Sequence, residues 1–353
     1  MLVVDDSLFM RAAITKTLAT PAFEIVGQAK DGKDALAQIA KLKPDVVTMD
    51  FNMPGMNGAD TVREVMRTHP TPVVMFSAHT KQGAKETFDA LTAGAVDFVT
   101  KPAGEVSVDI SKIANELITK LTAASQAKPR VAVAPMPARP SGQFAVTPPI
   151  ATPAYGTSLR TGAAITAGSS TRVCIIGIST GGPAALSEVI PALPENLRLA
   201  IVVVQHMPAG FTAALAERLN VSSRVNVHEA QAGDRPIAGT VFIAPGDKHL
   251  EFDDRGIIVL TDGPMVNGCR PAADVTMQSA ARVFGRRTLA VVMTGMGKDG
   301  AAGALAIKRA DGKTLAQDQQ TSVIYGMPKA AIDAGAIDEV AALGDIAAWL
   351  RYA

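Results

Sequence analysis

The chain has 353 residues, 48% of them hydrophobic and 19% charged, a globular balance in a chain too long for one ordinary core, so two domains are expected. Its net charge of +1 gives no electrostatic basis for binding nucleic acid or a membrane surface. Two cysteines, no apolar run near the roughly 18 residues of a membrane span, and no basic segment ahead of Leu2-Val3-Val4-Asp5-Asp6 argue for a cytoplasmic protein and against a secreted or membrane-inserted one.

Over residues 1–121 short strand-like runs alternate with helix-period segments. Strands are expected at Leu2–Val4, Glu24–Ala29, Asp45–Met49, Pro72–Phe76 and Asp97–Val99. Helices are expected at Leu8–Leu18, Lys33–Lys41, Ala59–Arg67, Ala84–Leu91 and Val108–Leu121. This alternation predicts an α/β domain with an open, doubly wound parallel sheet, whose ligands sit at the carboxyl ends of the strands. The polar residues collect at those ends. Asp5 and Asp6 close the first strand, Asp50 the third and Ser77 the fourth, and Lys101 follows the fifth. Singly, each has a bland reading: aspartate as a turn former, serine as a cap, lysine as surface. Gathered, the carboxylates repel one another unless a cation lies among them, and hard oxygen ligands of this kind suit Mg²⁺.

The segments Leu2-Val3-Val4-Asp5-Asp6-Ser7, Met49-Asp50-Phe51-Asn52-Met53-Pro54-Gly55, Phe76-Ser77-Ala78 and Thr100-Lys101-Pro102 resemble the receiver domains of two-component response regulators. The resemblance implies a flavodoxin-like fold with Asp50 as the phosphoacceptor. It further implies Mg²⁺ held by Asp6, Asp50, Asp5 and the Asn52 backbone carbonyl, with Ser77 and Lys101 on the phosphoryl oxygens and Phe98 at the aromatic switch position. Met1 stands so close before Asp5 that the first strand is expected to be short for this family.

A change in composition follows. No Asp or Glu lies between Glu116 and Glu188, and residues 128–153 are dense in proline and alanine. Such a segment buries too little apolar surface to offset its ordering entropy, so residues 122–166 are expected to form a flexible linker. Its cations, with Arg160 just after them, keep it solvated or touch an acidic partner.

Residues 167–353 again read as α/β. Strands are expected at Val173–Ile178, Leu199–Gln205, Val225–Glu229, Val241–Ala244, Gly256–Leu260 and Thr288–Thr294. Helices are expected at Ala184–Ile190, Phe211–Leu219, Val275–Val283, Ala301–Ala310 and Ile346–Leu350. In Ile176-Gly177-Ile178-Ser179-Thr180-Gly181-Gly182-Pro183 a buried strand stops at a serine and a helix opens at once. A serine at such a corner stands clear of the backbone, with free N–H groups beside it. A hydroxyl at neutral pH needs a base. His206, after the apolar strand Ile201–Val204, suits that role; His228 reads as structural and His249, in an expected turn, as a weaker alternative. Asp299, presented by a glycine-rich loop after another strand, would orient the imidazole, although it also reads as a cap for the helix at Ala301. The serine turn fits the G-x-S-x-G elbow of α/β-hydrolases too, but there the acid precedes a late histidine. It equally fits a phosphate cradle at a helix N-terminus. A non-catalytic phosphate- or nucleotide-binding output module is therefore the alternative to an enzyme.

These motifs, with Val204-Gln205-His206-Met207-Pro208, Arg270-Pro271-Ala272-Ala273-Asp274 and Met293-Thr294-Gly295-Met296-Gly297-Lys298-Asp299-Gly300, resemble the catalytic domain of the CheB family of chemotaxis protein-glutamate methylesterases. The resemblance implies a Rossmann-like, three-layer domain that hydrolyses glutamyl methyl esters on methyl-accepting chemotaxis receptors and, in some members, deamidates glutamines. It implies a Ser179–His206–Asp299 triad, with backbone N–H groups of Thr180, Gly181 and Met296 for the oxyanion and no metal in the esterase step. It also implies activation by a chemotaxis histidine kinase and a monomer. Arg270 reads either as a contact to an acidic receptor helix or as a structural ion pair.

Overall fold

The computed structural model of the chain describes residues 1–78, 80–101, 113–127 and 171–353. His79, Pro102, the start of the helix expected from Val108 and the proline-rich linker lie outside the described residues, except residues 122–127 of the linker.

The first sheet comprises β1 (Leu2–Val4), β2 (Gly27–Ala29), β3 (Val47–Asp50), β4 (Val73–Ala78) and β5 (Asp97–Lys101). All pairings are parallel and the order is β2-β1-β3-β4-β5, the flavodoxin-like winding. Alternate side chains of each strand serve opposite faces. Leu2, Val4, Val47, Met49, Val73 and Met75 pack on α2 (Gly32–Leu42), α3 (Gly58–Thr68) and α4 (Lys81–Ala93). Val3, Val74, Phe76 and Val99 pack on α1 (Leu8–Thr17) and α5 (Ala114–Ser125). The first four helices start on side-chain caps: Ser7, Asp31, Asn57 and Thr80 each accept a hydrogen bond from a first-turn N–H.

Several boundaries differ from expectation by a few residues, and two of the shifts have a clear physical reason. The second strand begins at Gly27, not Glu24, because Gly27 pairs with Leu2 and the partner strand extends no further. The last helix of the unit runs on to Ser125, into the segment expected as linker, because Ala123 and Ala124 are buried on its inner face.

The second sheet has the order β14-β13-β12-β6-β7-β9-β8, again all parallel. Its strands are β6 (Arg172–Ile178), β7 (Leu199–Gln205), β8 (Asn226–Glu229), β9 (Thr240–Ile243), β12 (Thr288–Val292), β13 (Lys313–Gln317) and β14 (Glu339–Ala341). Cys174, Ile176 and Ile178 face α6 (Gly182–Val189), α7 (Phe211–Ser222) and α11 (Leu343–Tyr352). Val173 and Ile175 face α8 (Ala273–Phe284), α9 (Ala301–Arg309) and α10 (Gly326–Asp333). Helix, sheet and helix thus form three layers. An antiparallel pair, β10 (His249–Phe252) and β11 (Ile258–Thr261), lies beside α8.

β6 lies between β7 and β12, where the winding direction reverses, so a crevice is expected at its carboxyl end. β12 stops at Val292 rather than Thr294, because the Thr294 N–H turns to the Gln317 Oε1 at 2.9 Å. The expected turn at His249 is instead the start of β10. The ring is buried, with Nε2 at 2.9 Å from the Pro264 carbonyl and Nδ1 accepting from the Ala272 N–H at 3.3 Å. Both nitrogens are engaged, so His249 is a structural histidine. Among the described residues no helix is long and apolar enough to cross a membrane.

Candidate active site

Ser179, His206 and Asp299 come from three consecutive positions across the second sheet. Ile178 is in register with Gln205, so Ser179 and His206 follow the ends of neighbouring strands. The His206 N–H donates to the Ile178 carbonyl at 3.1 Å, and the Ser179 N–H donates to the Thr294 carbonyl at 2.9 Å. Gly181, with φ of 78°, lets the chain turn sharply from the serine into α6. Gln205 straps the corner from below: its Nε2 donates to the carbonyls of Ser179 at 3.1 Å and His206 at 3.2 Å. Thr294 ties the third side, its hydroxyl donating to the Thr180 carbonyl at 3.0 Å.

His206 Nε2 lies 2.7 Å from Asp299 Oδ2. The same oxygen accepts the Ala273 N–H at 2.6 Å, and Oδ1 accepts the Asp274 N–H at 3.1 Å and Asn267 Nδ2 at 3.0 Å. Two of these donors open α8, where a negative charge is favoured. Burial would push the Asp299 carboxyl up, but His206 and these amides hold it below the usual carboxylate range. Burial would likewise lower His206, but hydrogen bonds and charge from Asp299 and Cys269 outweigh it and bring the imidazole to about 9. Nδ1, the other ring nitrogen, has Cys269 Sγ at 3.5 Å. The N–H groups of Thr180, Gly181 and Met296 make no hydrogen bond among the described residues. His228 stacks edge-on against Phe242 on the far strand β8, away from this edge. Arg270 donates to the carbonyls of Asp262 and Gly263, at 3.3 and 2.9 Å, and belongs to a loop rather than to the reacting group.

At the carboxyl edge of the first sheet, oxygens of Asp5, Asp6 and Asp50 lie within 4.8 Å of one another. Lys101 Nζ sits 3.1 Å from Asp5 Oδ2 and 2.8 Å from Asp50 Oδ1. Burial pushes Asp50 up to about 6 against the pull of Lys101, and Asp5 adds to the rise. Burial would lower Lys101, but Asp50 and Asp5 keep it firmly protonated. Three carboxylates against one lysine leave an excess of hard negative oxygen, a donor set that fits Mg²⁺. Asn52 lies in the loop after β3, with its side chain 3.5 Å from Glu86. The Ser77 hydroxyl turns to α4 here, donating to the Gly83 carbonyl at 3.1 Å and accepting from Thr87 at 2.6 Å.

The two sites meet through β5. Phe98 stacks on Phe211 at the start of α7, centroids 4.6 Å apart. One residue earlier, Asp97 Oδ2 accepts the buried hydroxyl of Thr180 at 2.6 Å, directly after the candidate nucleophile. Lys120 supports Asp97 from α5 at 3.4 Å. At the rim Arg218 reaches Asp89 at 3.0 Å and Thr92 at 2.7 Å on α4.

Gln205, Thr294, Asn267 and Cys269 were not expected as functional. Gln205 had a readable signal, because it precedes the histidine within one motif. Asn267-Gly268 had another, the dipeptide of a tight hairpin turn.

Residues 174–350 match the family model described as CheB methylesterase, and residues 1–109 match the response regulator receiver domain. The chain is 45% identical over 348 residues to the protein-glutamate methylesterase/protein-glutamine glutaminase of Symbiobacterium thermophilum, covering 98% of this chain and 94% of that protein. It is 43% identical over 351 residues to the protein of the same name in Pyrococcus abyssi, covering 98% and 91%. The crystal structure of the Thermotoga maritima CheB methylesterase catalytic domain covers 52% of this chain and 98% of its own, with 44% identity and a TM-score of 0.51. The chain belongs to the CheB methylesterase family, with a response regulator receiver domain preceding the methylesterase domain.

Proposed function

We propose that this chain is a phosphorylation-regulated protein-glutamate methylesterase, also able to deamidate glutamine, acting on methyl-accepting chemotaxis receptors through Ser179, His206 and Asp299. The reading rests on one observation above others: the 2.7 Å His206–Asp299 contact at the edge where Ser179 ends the adjacent strand.

His206 Nδ1 accepts the Ser179 proton as Oγ attacks the side-chain carbonyl of the glutamyl ester. The oxyanion forms beside the N–H groups of Thr180, Gly181 and Met296. The bond to the methoxy oxygen breaks, His206 returns the proton, and methanol leaves. Water then gives its proton to His206 and hydrolyses the acyl-serine to glutamate. A glutamine side chain passes through the same steps and releases ammonia. Asp299 holds the ring and stabilises the imidazolium throughout.

Asp50 accepts the phosphoryl group from a chemotaxis histidine kinase, and Lys101 and Ser77 receive its oxygens. Asp5, Asp6, Asp50 and the Asn52 carbonyl would hold a Mg²⁺ ion, which when bound neutralises charge on the phosphoryl oxygens. Before phosphorylation β5 and α4 cover the Ser179 corner.

Methylated and amidated receptor fragments, incubated with the full chain, test the reading by release of methanol and ammonia. Ser179→Ala should lower release by roughly 10⁴–10⁶ while Asp50 still accepts phosphate. Near wild-type release from that variant would remove Ser179 from the mechanism. Nucleotide binding without methanol release would indicate a non-catalytic output module.

A further inference from the structure

The loop ahead of α8 touches both partners of the His–Asp pair. Val266 and Cys269 exchange both backbone hydrogen bonds, at 3.1 and 2.9 Å. Between them Asn267 and Gly268 have φ of 53° and 77°, the two positive values of the tight Asn-Gly hairpin turn. The turn projects two side chains toward the catalytic edge. Asn267 Nδ2 donates at 2.8 Å to Asp274 Oδ2 and at 3.0 Å to Asp299 Oδ1, bridging two carboxylates that would otherwise repel. Cys269 Sγ stands 3.5 Å from His206 Nδ1.

We propose that the Val266–Cys269 turn is a clamp on the catalytic pair: Asn267 fixes the Asp299 carboxylate, and the Cys269 thiol holds His206 by the nitrogen that Ser179 must use. This inference rests on the triad reading above. Asn267 and Cys269 are positioning residues, since each acts through another side chain. Cys269 and Ser179 compete for one ring nitrogen, so the thiol sets how readily His206 becomes available as a base. The titratable groups facing His206 are Asp299 from the loop before α9 and Cys269 from the turn, with Asp274 behind Asp299. Burial lowers the imidazole pKa, and Asp299 and Cys269 raise it. Without the sulfur Asp299 acts alone, and the neutral imidazole becomes more populated near pH 7.

The test is the pH dependence of kcat for methyl-ester hydrolysis by the full chain, run beside fluorophosphonate capture at Ser179. Cys269→Ala removes only the sulfur, whose own proton points to the Asn267 carbonyl at 3.7 Å, and Cys269→Ser restores an atom that can accept from the protonated Nδ1. Asn267→Gly keeps the left-handed backbone and removes only the amide. Cys269→Ala should move the acid limb down by about one pH unit and raise the rate near pH 7 about tenfold, with Cys269→Ser between it and wild type. Asn267→Gly should lower kcat about 10–100-fold with KM nearly unchanged. A wild-type acid limb in Cys269→Ala, or full kcat in folded Asn267→Gly, overturns the clamp. The cysteine variants disturb no backbone hydrogen bond, so they decide the matter even where Asn267→Gly folds poorly. Failure of wild-type Ser179 to be captured overturns the triad reading instead.

Discussion

Asp299 has no spare capacity. Every contact to its oxygens comes from a donor: Ala273 N–H, Asp274 N–H, the Asn267 amide and, in the tautomer that leaves Nδ1 free as well as in the imidazolium, the His206 Nε2–H. An asparagine here turns its own NH₂ against a donor whichever way it flips. Asp299→Asn should therefore lower methanol release about 10⁴-fold, as loss of a triad acid does elsewhere; a loss under tenfold contradicts the assignment. As the proposed base, His206 would set the pH dependence. It must be neutral to accept a proton, and its pKa is raised from 6.5 to about 9. The esterase rate should rise with pH through neutrality and level off only near 9. A plateau already complete below pH 7 contradicts this. Stability has the opposite sign: the imidazolium–carboxylate pair contributes fully below about 6.5 and is lost as pH rises through about 9. The base is most available where its pair stabilises the fold least.

At the scale of elements, the contact between β5 and α7 outweighs the one between α4 and α7. The Arg218–Asp89 ion pair is substantially exposed on both sides, which limits it to roughly 0–1 kcal/mol. Phe98 is buried and stacked on Phe211, a contact worth about 0.5–1.5 kcal/mol beyond its burial of about 1.5–3 kcal/mol. Phe98→Leu should therefore raise basal methanol release several-fold, whereas Arg218→Ala should change it less than twofold. The reverse ranking would place the restraint at the rim. The elements themselves were unevenly legible. Val173–Ile178 and Leu199–Gln205 are β-branched runs that stop at polar or glycine-rich corners, so the strands and their catalytic ends read directly. Lys313–Gln317 and Glu339–Ala341 are short and polar; their strand character comes from docking in turn, the first beside β12 and the second beside β13, which no local pattern encodes. Gly326–Asp333 opens with Gly-Met-Pro, a breaker pattern, yet Met327 and Ala331 bury a helical face. His249 read as a turn because Gly246-Asp247-Lys248 precedes it, while the strand it begins is fixed by pairing with Thr261.

For the whole molecule, the receiver site and the serine are linked by one strand. Lys101, at the end of β5, contacts Asp50; Phe98 and Asp97, near its start, contact α7 and Thr180. On the function proposed, a phosphoryl group on Asp50 would compete for Lys101 and so bear on the strand that contacts Thr180 and α7. Moving such an equilibrium from 1:99 to 99:1 needs about 5.5 kcal/mol of differential stability, more than the few contacts described at this interface supply individually. Partial activation is expected. This interface could not be read from the sequence, because it depends on two surfaces meeting: Phe98 reads as the aromatic switch position of a receiver domain and Phe211 as the first residue of a helix, and neither segment names the other as its partner. The most direct measurement is the rate of fluorophosphonate capture at Ser179, mapped by peptide mass, in wild type and Asp50→Asn with and without a small-molecule phosphodonor and Mg²⁺. The account predicts capture at Ser179 that accelerates with the phosphodonor in wild type and stays slow in Asp50→Asn. Capture at another residue, or a rate in wild type indifferent to the phosphodonor, would contradict it.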